Sequence, residues 1–150
     1  MSHKYLNDIG IKSNDVCIFN TESIDKDKNR QKRFKKQRKE YGFDERETWS
    51  MDYTMATWIY SHFKAYKKYA PRIVDLTDDK FDIPKWDKEE NIISDEMIRV
   101  NQKEAINIVI KNIKFYLKYN DGDLNKAKTA IKKLEYAFRI IGIIAPAMWW

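Results

Sequence analysis

Residues 44–70 read DERETWSMDYTMATWIYSHFKAYKKYA, and the way this stretch divides into faces decides the expected fold. Asp44 and Glu47 have the spacing of a capping box, with Asp in place of the usual Ser or Thr. The helix they open should run to about Ala70, where Pro71 stops it, a length of roughly seven turns. At about 100° per residue, Ser50, Thr54, Thr57, Ser61, Lys64 and Lys68 fall on one narrow polar strip. Nearly everything else, from Trp49 and Met51 through Trp58 and Phe63 to Tyr69, is apolar. So wide an apolar arc predicts a helix packed on most sides, the central element of the fold.

Working outward, the stretch before this helix is dominated by charge. Lys26, Lys28, Arg30, Lys32, Arg33, Lys35, Lys36, Arg38 and Lys39 stand against a single acid, Asp27, so the segment exceeds the net +6 of the whole chain and leaves the rest slightly acidic. It contains no Gly or Pro and predicts a helix over 25–40, ended near Tyr41 and Gly42. Mutual repulsion requires such a block to be solvated or covered by anions. Two readings follow: a phosphate-binding helix for nucleic acid, or a solvated surface helix. Phe34 is the only aromatic within it, so backbone phosphate contact is expected over base stacking. Residues 1–24 read as irregular, with at most a short strand around Val16, Cys17, Ile18 and Phe19.

Beyond Pro71, residues 71–93 read as an extended or looped connection with an acidic run (Asp75, Asp78, Asp79, Asp82), pinned by Phe81, Ile83 and Trp86. A helix is expected from about Ser94 to Tyr119, with Ile98, Ala105, Val109, Ile113 and Tyr116 inward. Asn120, Asp121 and Gly122 form a turn, and Asp123 caps a last helix through about Ile144. That helix should face the core with Ala127, Ile131, Leu134, Phe138 and Ile141 and end at Pro146, leaving Trp149 and Trp150 as a C-terminal plug. With only four Gly and three Pro, the expected class is all-α, about four main helices. Residues 25–150 would form one helical domain.

Motifs for chemistry are scarce. His3 and His62 are far apart, neither in a metal-binding spacing nor beside a plausible nucleophile, and the four glycines stand alone, so no phosphate loop or dinucleotide fingerprint exists. Cys17 is the only cysteine, which excludes an intrachain disulfide and points to a reducing, cytoplasmic compartment. No signal peptide or membrane span is expected. The acidic run could hold a divalent cation for phosphodiester chemistry, the nuclease alternative, but a solvated acidic loop is the commoner outcome. Asn120 to Asp123 lacks the alternating ligands and distal Glu of a calcium loop. Asp52 breaks the pattern: it projects opposite the polar strip beside Ala56, Ile59 and Phe63 and should be at least partly buried. Its partner would be Arg46, Arg72, Arg99 or Arg139, in a structural ion pair or a ligand-gripping acid, the former favoured. His62 reads as a packing residue.

The segment Tyr41-Gly42-Phe43-Asp44-Glu45-Arg46-Glu47-Thr48-Trp49-Ser50-Met51-Asp52-Tyr53-Thr54-Met55-Ala56 resembles a pattern in small uncharacterised bacteriophage and prophage proteins, where a Gly-aromatic and an acid-Arg-acid run lead into Trp, an apolar residue, Asp and an amphipathic helix. The ending, Met148-Trp149-Trp150, is similar to their aromatic tails. The resemblance implies phage origin, a bacterial host cytoplasm and a mostly helical fold, and brings no activity with it. The expectation is a non-enzymatic binding module without cofactor or metal, whose basic helix engages nucleic acid or a nucleoprotein surface. The alternatives are an inhibitor of a bacterial host protein and a small virion or assembly component. No membrane partner is expected, and the oligomeric state is not encoded in any pattern above.

Overall fold

The computed structural model describes residues 4–11 and 27–148. The chain forms two compact units, Met1–Trp58 and Ile59–Trp150. The strand expected around Val16 to Phe19 and the plug at Trp149 and Trp150 lie outside the described residues.

In the first unit a short helix, α1 (Lys4–Asn7), buries Leu6 completely, within a stretch expected to be irregular. Helix α2 (Lys28–Tyr41) follows. Asp27 caps it, accepting hydrogen bonds from the Asn29 and Arg30 amides at 2.8 and 3.3 Å, which satisfies two donors that an isolated first turn leaves open. It ends at Gly42, whose φ of 83° no residue with a Cβ adopts cheaply, and whose amide reaches the Arg38 carbonyl at 3.0 Å. The Asp44 and Glu47 capping box is present, but it opens a 3-10 turn (Glu45–Thr48), after which α3 runs over Met51–Tyr69. A second 3-10 turn with Pro71 near its start (Ala70–Arg72) ends that helix.

Helix α3 is not packed on most sides. Ala56, Thr57, Ile59, Tyr60 and Phe63 are buried, whereas Met51, Met55, Trp58 and Tyr69 are exposed. Thr57, assigned to the polar strip, is fully buried because its hydroxyl donates to the Thr54 carbonyl at 2.9 Å and needs no water.

In the second unit an αα-hairpin, α4 (Gln102–Tyr119) and α5 (Leu124–Ile144), carries a two-stranded antiparallel sheet, β1 (Lys80–Asp87) with β2 (Ile92–Asn101). This sheet overturns the all-α expectation: the protein is mostly helical but mixed. Residues 94–101 pair as strand, Phe81 opposite Val100 and Ile83 opposite Ile98, so the helix expected from Ser94 begins only at Gln102. Asn101 caps it, accepting from the Glu104 amide while Glu104 accepts from Asn101. A register shift between Pro84 and Trp86 interrupts the ladder, and Pro84, which cannot donate to a ladder, is tolerated because a two-stranded sheet has only edge strands. The intervening turn is stabilised by the Asp87 carboxylate, which accepts from the Glu89 and Glu90 amides, and holds Asn91 at φ 52°.

The core of this unit joins Ala105, Ile106, Val109, Ile113 and Tyr116 of α4 to Ala130, Leu134, Tyr136, Ala137, Ile140 and Ile144 of α5, with Ile83 and Val100 below from the sheet. The buried isoleucines contribute roughly 1.5–3 kcal/mol each. On α5 the buried stripe keeps Leu134 of the expected set but otherwise runs beside it: Ala130, Ala137 and Ile140 are buried, while Ile131 is 60% exposed. The Tyr136 hydroxyl donates to the Pro84 carbonyl at 2.7 Å, and burial pushes its ionisation above the ordinary phenol range.

Candidate nucleic-acid interface

The cations of α2 are sorted by type. Lys28, Lys32, Lys35, Lys36 and Lys39 recur at three- and four-residue spacing, which places them within an arc of roughly 100° along about 16 Å of helix axis. All five are exposed, and none has an ion-pair partner among the described residues. Lys26 lies outside the described residues.

The arginines point elsewhere. Arg30 pairs with the capping Asp27 at 3.4 Å, and Arg33 pairs with Glu45, which Gln37 also holds at 3.0 Å. Arg38 places Nε 2.7 Å from Asp44 and Nη2 2.7 Å from Glu47. Arg46, the acid-flanked arginine of the Asp44 to Glu47 run, grips Asp44 through both Nε (2.8 Å) and Nη2 (2.7 Å) while its guanidinium lies 4.5 Å over the Phe34 ring. Phe34, buried, meets Trp49 edge-on at 6.3 Å. A planar guanidinium satisfies two carboxylate oxygens at once and is less strongly hydrated than an ammonium, so arginine suits the ion pairs with the protein's own acids and lysine is left for solvent.

Asp44 is fully buried. Burial pushes its carboxyl up, but the hydrogen bonds from Arg46 and the charges of Arg38 and Arg46 outweigh that and hold it below the ordinary aspartate range. Gln37 first, then Arg33, lowers Glu45 in the same way. Three of the eight described cations of the block are thus matched by the protein's own acids, and a face of lysines is left electropositive.

The buried acid is therefore Asp44 and not Asp52, which is exposed on α3. Asp52 still shares the face of Ala56, Ile59 and Phe63, but it sits in the first turn of α3, where Met51 and Asp52 are both exposed and burial begins only at Ala56. His62, expected to pack, is also exposed. The missed network had a visible signal: Arg38 stands six residues before an acid-rich cap whose two carboxylates need cationic partners if buried.

Among the described residues no group of three or more His, Cys, Asp or Glu side chains could hold a metal ion. The acidic run disperses: Asp75 accepts from the Thr77 amide and hydroxyl, Asp82 pairs with Arg99 at 3.1 Å, and Asp78 and Asp79 are exposed on a turn and the residue after it. Asp123 caps α5, as its spacing implied. No helix among the described residues is long and apolar enough to cross a membrane.

The fold and site define a mostly helical protein with a small β-hairpin and a lysine-faced helix. Compared with known proteins, the chain matches no family model, no curated protein and no solved structure.

Proposed function

We propose that the protein is a non-enzymatic binding module whose α2 lysine face engages the phosphate backbone of nucleic acid or a nucleoprotein surface. The observation that carries this reading is the row of five exposed lysines without ion-pair partners among the described residues. Five like charges within 16 Å of helix repel one another, and a polyanion relieves that repulsion while releasing its own counterions. Ammonium groups on flexible stems act as point charges, and the arginines suited to bidentate base reading are held by Asp27, Glu45, Asp44 and Glu47. The contact is accordingly sequence-independent. Affinity for arbitrary duplex DNA and RNA, followed against salt, tests it: strong weakening with salt is expected, and absent or salt-indifferent binding at low ionic strength overturns it.

A second reading, an inhibitor of a bacterial host protein, is favoured by a different feature of the same unit. Tyr41, Phe43, Trp49, Met51, Met55 and Trp58 are each more than two-fifths exposed, and aromatic and Met side chains are those enriched in protein interfaces. A nuclease-treated bacterial lysate separates the readings: a stoichiometric protein partner lost on Trp58→Ser supports inhibition, and recovery of partners only without nuclease supports the nucleic-acid reading.

A further inference from the structure

The second unit holds a cavity of about 590 Å³ between the end of α3, the loop that follows it and the start of α4. Its lining includes three cations, Lys67 from the last turn of α3, Arg72 from the 3-10 turn and Lys103 from the first turn of α4. None of the three has an ion-pair partner among the described residues, and Arg72 instead lies 5.2 Å over the Tyr69 ring. The single carboxylate of the wall, Asp75, is turned onto its own loop, accepting from the Thr77 amide at 2.9 Å and the Thr77 hydroxyl at 2.7 Å. The loop is fixed to α4 by the Lys103 amide, which donates to the Leu76 carbonyl at 3.0 Å. Glu104's amide is likewise taken by the Asn101 cap, so an anion here is held by side chains, not by a free helix end. Pro71, Ile73, Val74 and Leu76 supply apolar wall beside the cations.

Three cations against one acid give the lining a net charge of two, and the ligand that balances it is a dianion. We propose that this cavity binds a phosphate monoester, with Arg72, Lys103 and Lys67 around the phosphate and the apolar wall against the group it esterifies. A monoester carries close to two negative charges at neutral pH and offers three acceptor oxygens, which suits a wall with three cationic donors better than a single carboxylate does. The site does not depend on α2.

Amide chemical shifts of the full chain, titrated with glycerol phosphate and separately with a short oligonucleotide bearing a 5′-phosphate or a 5′-hydroxyl, test the assignment. Shifts at Arg72, Ile73, Thr77 and Lys103 are expected with ligand at up to about 10 mM. Glycerol phosphate as effective as the oligonucleotide identifies a free ester as the source. An effect confined to the 5′-phosphorylated strand identifies a strand terminus. Arg72→Gln and Lys103→Gln should each weaken binding about tenfold, while Lys88→Gln, on the hairpin turn, should leave it unchanged; fold integrity is checked by far-UV circular dichroism. Absence of shifts with both phosphate ligands, shifts of equal size with the 5′-hydroxyl strand, or full affinity in the two cavity variants would overturn the proposal.

Discussion

Removing lysines from α2 in pairs tests the proposed interface most directly, because counterion release counts contacts. If Lys28, Lys32, Lys35, Lys36 and Lys39 each neutralise one phosphate, log affinity for B-DNA falls against log salt with a slope of about −4.5, and binding drops about 500-fold between 50 and 200 mM salt. Lys32→Gln with Lys36→Gln should reduce the slope to about −2.7 and the loss to about 40-fold. Arg33→Gln is the matched control: its charge is already compensated by Glu45, so the slope should stay where it is. Fluorescence anisotropy of a labelled duplex of arbitrary sequence, repeated with an unrelated sequence, gives all of these numbers. A parent slope shallower than about −2, or an equal change in the lysine and Arg33 variants, would refute the idea that the lysines face phosphate while the arginines serve the fold.

The remaining expectations concern stability. Asp44→Asn keeps one acceptor oxygen but removes the buried negative charge that faces Arg38 and Arg46, and should destabilise the first unit by about 3 kcal/mol, read from denaturant unfolding followed at Trp49. Because the folded Asp44 carboxyl is held below its ordinary value, its contribution is complete above roughly pH 4 and disappears as pH falls through the lower folded value. Stability measured from pH 6 to 2 should therefore drop more steeply in the parent than in Asp44→Asn, and parallel curves would contradict the assignment. Tyr136→Phe removes the hydrogen bond to the Pro84 carbonyl and should cost about 1 kcal/mol by thermal unfolding. Asn91→Val places a β-branched residue at positive φ and should cost about 1–2 kcal/mol, whereas Asn91→Gly should not destabilise.

Signals carried by neighbouring residues were legible in the chain: the Asp44 and Glu47 cap, the stop at Pro71, the turn at Asn120 to Gly122 and the inward stripe Ala105, Val109, Ile113 and Tyr116. The hairpin was not. Ile98 stands seven residues before Ala105, so it fits a helical stripe as well as it fits the two-residue alternation with Val100 that the sheet uses. Only pairing with Lys80–Asp87 across the turn 88–91 decides between them, and Pro84 inside that stretch argues against reading it as a strand. Asn101 and Glu104 did carry the true start of α4, as a capping box with Asn in the first position. The α5 phase was ambiguous because Ile131, Phe138 and Ile141 offer a second apolar stripe one residue away from the buried set. At the interface the charge was plain from composition, but its division into paired arginines and open lysines needed the acids of residues 44–47 folded back onto α2.

Arginines paired and lysines open on α2 also mean that surface chemistry and architecture answer to different reagents. An acylating agent selective for primary amines should strip α2 of its positive field while the guanidinium clasps around Asp44 and Glu47 persist, whereas a dicarbonyl that attacks guanidines should loosen the first unit and leave those ammonium groups intact.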